Sequence, residues 1–463
     1  MVERCEEIPS TPSRGEPVET KLHRIARKAR NEPKFKFTSL YHLMDVELLR
    51  GCFMRLRGDA AAGIDGVTKA AYAEHLEENL AKLVIRLHQM SYIPQPVRRV
   101  YIPKPGSDKQ RPLGIPALED KLVQAGLVRI LEQIYEQDFI EDSYGFRPGR
   151  GCHDALRALS ETVESGKTEW IVEADIKGFF DNVKHDWLMR FLEHRIGDKR
   201  VYRMVKRFLK AGVFEEGQVW DSEDGTPQGG VISPVLANIY LHYALDLWFE
   251  RVFRKGCTGP ARLIRYADDF VACFATQADA ERFRRDLTDR LAMIGLEVEP
   301  TKTKVLAFGP HAAQRARQEG KGKPDTFDFL GFTHFCSRTQ DGKRFRMKRV
   351  TARKKFRAKL AALGQWLRDN RAKMRTPELW DKFREKLRGH YAYYAVTDNS
   401  PGIGRFYHEA KRLLFQWLNR RSQRRSMTWE QFNLMDQRFP LPRPRIRVSM
   451  FARPKMPVQT QFV

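Results

Sequence analysis

The stretch RLIRYADDFVACF, residues 262–274, places two adjacent carboxylates between two runs of apolar and aromatic residues. This pattern predicts a β-hairpin set into a packed sheet, with Asp268 and Asp269 at its turn. Aspartate is common in solvated turns, but the apolar flanks here indicate burial. A buried pair of carboxylates is costly unless positive charge neutralises it. The stretch therefore predicts a site that attracts cations.

A third carboxylate follows a second apolar strand. The segment WIVEADI, residues 170–176, ends its apolar run at Asp175. If the two strands are neighbours in a sheet, the three carboxylates converge and repel one another unless cations bind between them. Mg²⁺ prefers oxygen ligands of this kind, and two such ions can activate a hydroxyl and stabilise a pyrophosphate leaving group. The pattern thus favours nucleotidyl transfer.

The charge of the chain is strongly asymmetric. The 463 residues carry a formal net charge of +25, and the sequence pI is about 9.9. Residues 341–463 hold 31 Lys and Arg against 9 Asp and Glu, whereas residues 1–340 hold 52 against 49. A basic run is commonly a solvated face, but a surplus of this size favours a nucleic-acid partner.

Other compositional features narrow the class of protein. No apolar run approaches 18 residues, so no membrane span is expected. Six scattered cysteines without a CxxC pair are typical of a reducing compartment and argue against a zinc module or a disulfide framework. The acidic, proline-containing start of the chain predicts a disordered lead rather than a signal peptide.

Four residues near the predicted carboxylates have both an ordinary and a functional interpretation. Phe180, just after the turn at Gly178, is either core or a plate beneath the sugar of a nucleotide. The loop TPQGG, residues 226–230, is either a plain turn or a close approach of Gln228 to a nucleotide. Lys104 and Arg111 are either surface charges or counter-charges for a triphosphate.

Seven segments occur in the order shown by one known family. They are YIPKPGSDKQRPLGIP, SYGFRPGRGCHDAL, EADIKGFFDNV, TPQGGVISPVLANIYLH, RYADDFVACF, GLEVEPTKTKV and FDFLGF. In these segments the chain resembles a group II intron-encoded reverse transcriptase/maturase. The resemblance implies an α+β, right-hand polymerase fold, with fingers and a palm that contain antiparallel sheet, plus an α-helical thumb.

The resemblance also implies a division of the chain. The expected parts are a disordered lead (1–20), an N-terminal helical extension (21–90), reverse transcriptase fingers and palm (91–335), a helical thumb or maturase domain (336–430) and a basic proline-rich tail (431–463). Many members carry a C-terminal endonuclease with paired cysteines. Because this chain has no CxxC pair, an endonuclease-lacking member is expected.

Site residues follow from the resemblance position by position. The catalytic, metal-binding residues are expected to be Asp175, Asp268 and Asp269, with the backbone carbonyl of Ile176 as a further ligand. The nucleotide-binding residues are expected to be Lys104, Arg111, Phe180 as a steric gate against ribonucleotides, and Gln228. The residues expected near template or intron RNA are Arg147, Arg150, Lys348, Arg349, Arg353, Lys354 and Lys355.

The implied function is RNA-directed DNA synthesis, combined with intron-RNA binding that assists splicing and mobility. Two Mg²⁺ ions, with Mn²⁺ as a substitute, are the expected cofactors. The expected partners are an RNA template, intron RNA, a DNA primer or target and dNTPs, with no membrane, in the cytoplasm and at the nucleoid when DNA is the substrate. Two alternatives stay open: a domesticated enzyme of phage defence or DNA repair, and a non-catalytic RNA-binding splicing cofactor. The oligomeric state is also open.

Overall fold

The computed structural model describes residues 17–103, 110–220, 224–226, 229–421 and 427–451. The chain divides into two compact units, each assembled from segments that are distant in sequence. Unit 1 comprises Met1–Tyr101, Pro112–Ile140 and Gly178–Tyr243, and unit 2 comprises Ile102–Arg111, Glu141–Lys177 and Ala244–Val463. Within the part of the chain that is described, no helix has the length and apolar character needed to cross a membrane.

Helices supply most of the regular structure. In chain order they are α1 (Val18–Asn31), α2 (Val46–Arg55), α3 (Lys69–Ala73), α4 (Leu76–His88), α5 (Leu118–Tyr135), α6 (Cys152–Glu164), α7 (Phe179–Asn182), α8 (His185–Glu193), α9 (Lys199–Leu209), α10 (Ser233–Leu241), α11 (Gln277–Met293), α12 (Ala312–Gln318), α13 (Arg353–Asn370), α14 (Thr376–Tyr394), α15 (Ser400–Leu418) and α16 (Trp429–Arg438). Two π-helical stretches, His242–Asp246 and Phe249–Phe253, follow α10.

Eleven strands are present among the described residues. They are β1 (Val97–Pro103), β2 (Gln110–Ile115), β3 (Trp170–Ala174), β4 (Val213–Glu215), β5 (Gln218–Trp220), β6 (Ala261–Tyr266), β7 (Asp269–Phe274), β8 (Lys304–Ala307), β9 (Thr326–Phe329), β10 (Phe332–Arg338) and β11 (Phe345–Thr351). They form three sheets with the orders β2-β1-β4-β5, β6-β7-β3-β8 and β11-β10-β9.

Unit 1 is built around the long helix α5, which is buried along most of its length. Helices α1, α2 and α10 contact it, and their apolar faces, like that of α5, are removed from water, which stabilises the unit. The sheet of this unit contains a parallel pair, in which Val97 of β1 lies opposite Val213 of β4, and an antiparallel pair between β4 and β5.

The central sheet of unit 2 is antiparallel throughout. Strand β7 lies between β6 and β3, and β3 also pairs with β8. Helix α11 contacts β3, β7 and β8. Four phenylalanines, Phe249, Phe253, Phe274 and Phe283, contact one another at centroid distances of 5.2–6.4 Å. These close aromatic contacts fix the base of the β6–β7 hairpin in the core.

The C-terminal part of unit 2 differs from the sequence expectation in two places. The segment 336–430, expected to be helical, begins with the end of β10 and the whole of β11 before α13 starts. The segment 431–463, expected to be a basic proline-rich tail, contains most of α16, and Leu441 and Met450 beyond this helix are buried. Apolar residues spaced among the many prolines and arginines there are sufficient to anchor the backbone to the core.

A buried asparagine joins the third sheet to the C-terminal helices. Asn399 is fully buried between α14 and α15. Its Oδ1 accepts a hydrogen bond from the backbone N–H of Thr351 (2.9 Å), and its Nδ2 donates to Thr351 Oγ1 (2.9 Å) and to the carbonyl of Tyr394 (2.8 Å). All of these groups belong to unit 2, so one side chain satisfies polar atoms of a strand and of a helix end.

We expect Asn399→Ala to destabilise unit 2 by about 2 kcal/mol, because buried donors and acceptors would lose their partners. Urea denaturation monitored by circular dichroism measures this change. The matched control is Asn31→Ala at the exposed end of α1, for which no shift is expected. Equal midpoints for Asn399→Ala and the parent protein would contradict the anchoring role.

Candidate active site

The hairpin predicted from residues 262–274 is confirmed. Strands β6 and β7 pair from Ala261 with Phe274 up to Tyr266 with Asp269, so the turn consists of Ala267 and Asp268. Ala267 has a φ of 57°, in the left-handed region that few non-glycine residues adopt. The two adjacent aspartates therefore stand at a tight, strained end of the sheet.

The neighbouring strand brings Asp175 to the same end. Strand β3 pairs with β7 antiparallel, and the last pair is Ala174 with Phe270. Continuing this register by one residue places Asp175 across from Asp269, because opposite residues advance in reverse directions along antiparallel strands. The expected convergence of the three carboxylates is thus present in the sheet register.

Electrostatics at this end of the sheet disfavour three negative charges. Burial, and then the charge of Asp175, raise the pKa of Asp268, while the charges of Arg111 and Arg265 act in the opposite direction. Burial, followed by the charges of Asp268 and Asp175, raises the pKa of Asp269 to about 7. Asp269 is accessible to solvent but lies in the wall of a cavity, where protein still limits its hydration.

Asp175 already has a cation beside it. The ammonium group of Lys302 donates to Asp175 Oδ2, and this hydrogen bond raises the pKa of Lys302. Nothing in the sequence pattern marks Lys302 as a partner of Asp175, because the two residues are 127 positions apart. The ion pair shows that the site draws in positive charge.

The donor set fits a hard divalent cation. Three carboxylates interact electrostatically at one point, and oxygen ligands of this type suit Mg²⁺. Among the described residues, no three carboxylate, imidazole or thiol groups already stand at metal-binding distances. The Asp175 side chain faces Lys302 instead, so a bound ion would require the Asp175 side chain to turn away from this lysine.

A cavity of about 750 Å³ adjoins Asp269 within unit 2. Leu330 and Gly331 line it, together with side chains of α13 and α14. Its cationic residues are Lys355, Lys359 and Lys386. Only Lys355 was among the residues expected near RNA, because the periodicity of the sequence does not show which lysines of a helix face a cavity.

Aromatic residues of the same cavity provide flat surfaces. The Lys386 ammonium lies 4.5 Å from the ring centroid of Trp366. His390 stacks on Phe406 with a centroid distance of 3.5 Å. Burial lowers the pKa of His390 to about 4, so its imidazole is neutral at physiological pH and the lysines supply the positive charge of the cavity.

Phe180 and the TPQGG loop meet within unit 1. Gly178 has a φ of 52° and precedes α7, in agreement with the predicted turn. The N–H of Thr226 donates to the carbonyl of Phe180 (2.8 Å), and both residues, with Gly225, line a cavity of about 120 Å³. The expected nucleotide-binding residues Lys104 and Gln228 lie outside the described residues, and Arg111 is exposed.

The residues expected near RNA divide into buried and exposed groups. Arg147 is buried and donates to the carbonyl of Ser143, and Arg150 pairs with Glu141. Arg349, on β11, is almost completely buried and donates to Ser160 Oγ. The guanidinium groups of Arg147 and Arg349 therefore face protein.

The remaining four residues of that set are on the surface or close to it. Lys348 is half-buried on β11, whereas Arg353, Lys354 and Lys355 are exposed in the first turn of α13. Their positive charges remain available to a polyanion.

The chain belongs to the reverse transcriptase (RNA-dependent DNA polymerase) family, whose model matches residues 102–334. It is 41% identical over 222 residues to the group II intron-encoded protein LtrA of Lactococcus lactis subsp. cremoris, which is 48% of this chain and 37% of that protein. It is 35% identical over 316 residues to protein YkfC of Escherichia coli, covering 62% and 79% of the two chains.

A fungal relative extends the same similarity. An uncharacterised 91 kDa protein in a cob intron of Schizosaccharomyces pombe is 30% identical over 347 residues, which is 63% of this chain and 42% of that protein. The resemblance to group II intron-encoded reverse transcriptases is thereby confirmed. The chain spans little more than a third of the length of the LtrA proteins that it matches.

We expect Asp269→Asn to raise the melting temperature in Mg²⁺-free buffer at pH 8, because it removes one of three mutually repelling charges. Solvent near Asp269 screens part of the repulsion, so the expected gain is about 1 kcal/mol, or about 2–4 °C. Differential scanning fluorimetry measures the shift.

Asp289→Asn, at an exposed position of α11, is the control, and its melting temperature should equal that of the parent protein. Adding Mg²⁺ should then stabilise the parent protein more than Asp269→Asn. Equal melting temperatures of all three proteins without Mg²⁺ would show that the carboxylates do not repel one another as described.

Proposed function

We propose that this chain is an RNA-directed DNA polymerase that extends a primer 3′-hydroxyl with dNTPs on an RNA template. The observation that carries the proposal is the approach of Asp175, Asp268 and Asp269 at one end of an antiparallel sheet. Three carboxylates held together against their repulsion are typical of a protein that binds cations there. Membership of the reverse transcriptase family supports the type of reaction.

In this proposal the three aspartates would hold two Mg²⁺ ions, for which Mn²⁺ can substitute, and the carbonyl of Ile176 would be a further ligand. The bound ions would supply activation of the 3′-hydroxyl and stabilisation of the leaving pyrophosphate. The carbonyl of Asp175 accepts from Glu299, and Lys177 donates to Glu297. Because backbone groups alternate along an extended segment, the carbonyl of Ile176 is directed away from Glu297 and Glu299.

The sheet β6-β7-β3-β8 would then be the palm of a right-hand polymerase, and α13–α15 would be its thumb. The sheet of unit 1 and its helices from α5 onward would form the fingers. Residues 21–90 would be the N-terminal extension. This assignment is supported by the position of the carboxylates in the central sheet of unit 2.

Nucleotide recognition would involve Phe180 and Arg111, together with Lys104 and Gln228, which lie outside the residues that the structure describes. Phe180 would exclude a 2′-hydroxyl, which is supported by its place beside the Gly225–Thr226 backbone in a small cavity. Arg111, whose charge acts on Asp268, would contact the triphosphate together with Lys104. Gln228 would contact the incoming nucleotide, as the family motif implies.

The lysine-lined cavity beside Asp269 would receive the template–primer duplex. Lys355, Lys359 and Lys386 would neutralise backbone phosphates, which makes binding strongly salt-dependent. Trp366 and Tyr393 in the same wall would offer flat apolar surface to a sugar or base. The exposed Arg353 and Lys354 would extend this surface toward longer RNA.

A role in group II intron splicing and mobility is the second part of the proposal. It is supported by similarity to the LtrA proteins, whose name describes them as encoded by a group II intron. Intron RNA would be the partner of the basic helices of unit 2, and a DNA target would supply the primer. With such substrates the protein would act in the cytoplasm, and at the nucleoid when DNA is the substrate.

The test is primer extension on an RNA template with dNTPs and Mg²⁺. The parent protein should extend the primer, and Asp268→Ala with Asp269→Ala should reduce extension by at least about 10³-fold, because removing metal ligands abolishes two-metal catalysis. The same double variant should bind the template–primer duplex within about threefold of the parent. Asp286→Ala with Asp289→Ala, two aspartates of α11 remote in sequence from the motif, is the matched control.

Extension by the double variant at the parent rate would overturn the proposed site. No extension by the parent protein, with RNA binding intact, would instead favour a binding-only splicing cofactor. The test therefore separates the enzyme from the RNA-binding alternative.

A further inference from the structure

The Ala267–Asp268 turn, directly before Asp269, contains a strained residue, and a buried arginine is bonded to that residue. Arg265 lies two residues before Ala267, whose φ is 57°. The Arg265 side chain is completely buried. Its Nη1 donates to the carbonyl of Ala267 at 3.0 Å, so the guanidinium is hydrogen-bonded to the peptide group that immediately precedes Asp268.

The same guanidinium is anchored from the opposite side by a carboxylate. Arg265 Nε donates to Asp246 Oδ1 at 2.7 Å, and Nη2 donates to Asp246 Oδ2, which makes the pair bidentate. Asp246 is also completely buried and ends the π-helical stretch His242–Asp246. π-Helical turns displace side chains from regular helical positions and are frequent at functional sites.

A third contact ties the arginine to the segment before α6. Nη2 of Arg265 also donates to Ser143 Oγ at 2.8 Å. The backbone of Arg265 pairs with the same segment, since its N–H donates to the carbonyl of Asp142 and its carbonyl accepts from Tyr144. A Cβ atom on Gly145 would lie 2.2 Å from the nitrogen of Ala267, so this segment packs directly against the turn.

All of these contacts are made in the interior of the protein, and they fix the backbone conformation of the turn. The planar guanidinium has five donors in fixed directions, so it can bind both oxygens of a carboxylate, a hydroxyl and a carbonyl at once, whereas an ammonium group has only three donors and no fixed plane. A buried ion pair is weak evidence for stability as such. Here the ion pair holds the guanidinium in place, and the guanidinium fixes the direction of the Ala267–Asp268 peptide group.

We propose that Arg265, anchored by Asp246 and Ser143, is a positioning residue that holds the Ala267 carbonyl and thereby sets the two aspartates in their metal-binding orientation. The inference rests on the proposed polymerase function. Arg265 is completely buried, and besides the effect of its charge on Asp268 it acts on the site through its hydrogen bond to the turn. Loss of the fork should therefore affect the use of Mg²⁺ before it affects the binding of nucleic acid.

The test is the Mg²⁺ dependence of primer extension by Arg265→Lys, which keeps the charge and loses the fork. We expect kcat to fall by at least about tenfold and the Mg²⁺ concentration for half-maximal rate to rise at least about threefold. The KM for dNTP and the affinity for the template–primer duplex should change less than about twofold. Thermal melting shows the temperature at which each variant is fully folded, and the assay is run below it.

Arg262→Lys is the matched control. Arg262 is on the same strand, but its guanidinium makes a bidentate pair with Asp142 and donates to Thr162 Oγ1 instead of to the turn. Its Mg²⁺ dependence should equal that of the parent. A merely structural role of Arg265 would lower the melting temperature of Arg265→Lys while leaving its Mg²⁺ dependence at the parent value, and that result would overturn the inference.

A milder variant keeps the test decisive if Arg265→Lys does not fold. Ser143→Ala removes one hydrogen bond of the guanidinium and should raise the half-maximal Mg²⁺ concentration about twofold. An unchanged Mg²⁺ dependence of folded Ser143→Ala would then count against the positioning role. An inactive parent protein would instead be a failure of the proposed polymerase function, which is a separate outcome.

Discussion

Mutual repulsion among three carboxylates at one end of an antiparallel sheet is the constraint on which the site depends. Strands β3 and β7 pair up to Ala174 and Phe270, and the same register continued by one residue brings Asp175 across from Asp269. Burial and neighbouring negative charge both raise the pKa of Asp269. The protein therefore holds negative charge that its own cations do not fully neutralise. This is expected of a site that binds divalent cations.

Several cations of the chain moderate this repulsion in different ways. Lys302 pairs directly with Asp175, whereas Arg111 and Arg265 act on Asp268 through their charge. Arg265 is also bonded to the backbone of the turn. The packed phenylalanines at the base of the hairpin prevent the sheet from relaxing. Together these features explain how an apolar hairpin can carry two adjacent acidic residues at its tip.

Local patterns were enough to predict part of this arrangement. The hairpin, the strand before Asp175 and the turn at Gly178 each follow from residues close in sequence, through alternation and glycine chemistry. The pairing of Lys302 with Asp175 and of Arg265 with Asp246 did not follow, because side chains from distant segments meet only in the folded sheet.

The burial of individual charged residues could not be predicted from the sequence either. Arg349 belongs to a strongly basic run, yet it faces α6 from inside the core. A sequence shows that an arginine is present but not whether its guanidinium faces water, since long stems allow either environment.

Binding of divalent cations by the three aspartates is tested most directly by anomalous diffraction from crystals soaked with Mn²⁺ and a dNTP. We expect anomalous peaks bound by Asp175, Asp268 and Asp269, and peaks only at other carboxylates would contradict the proposed metal site.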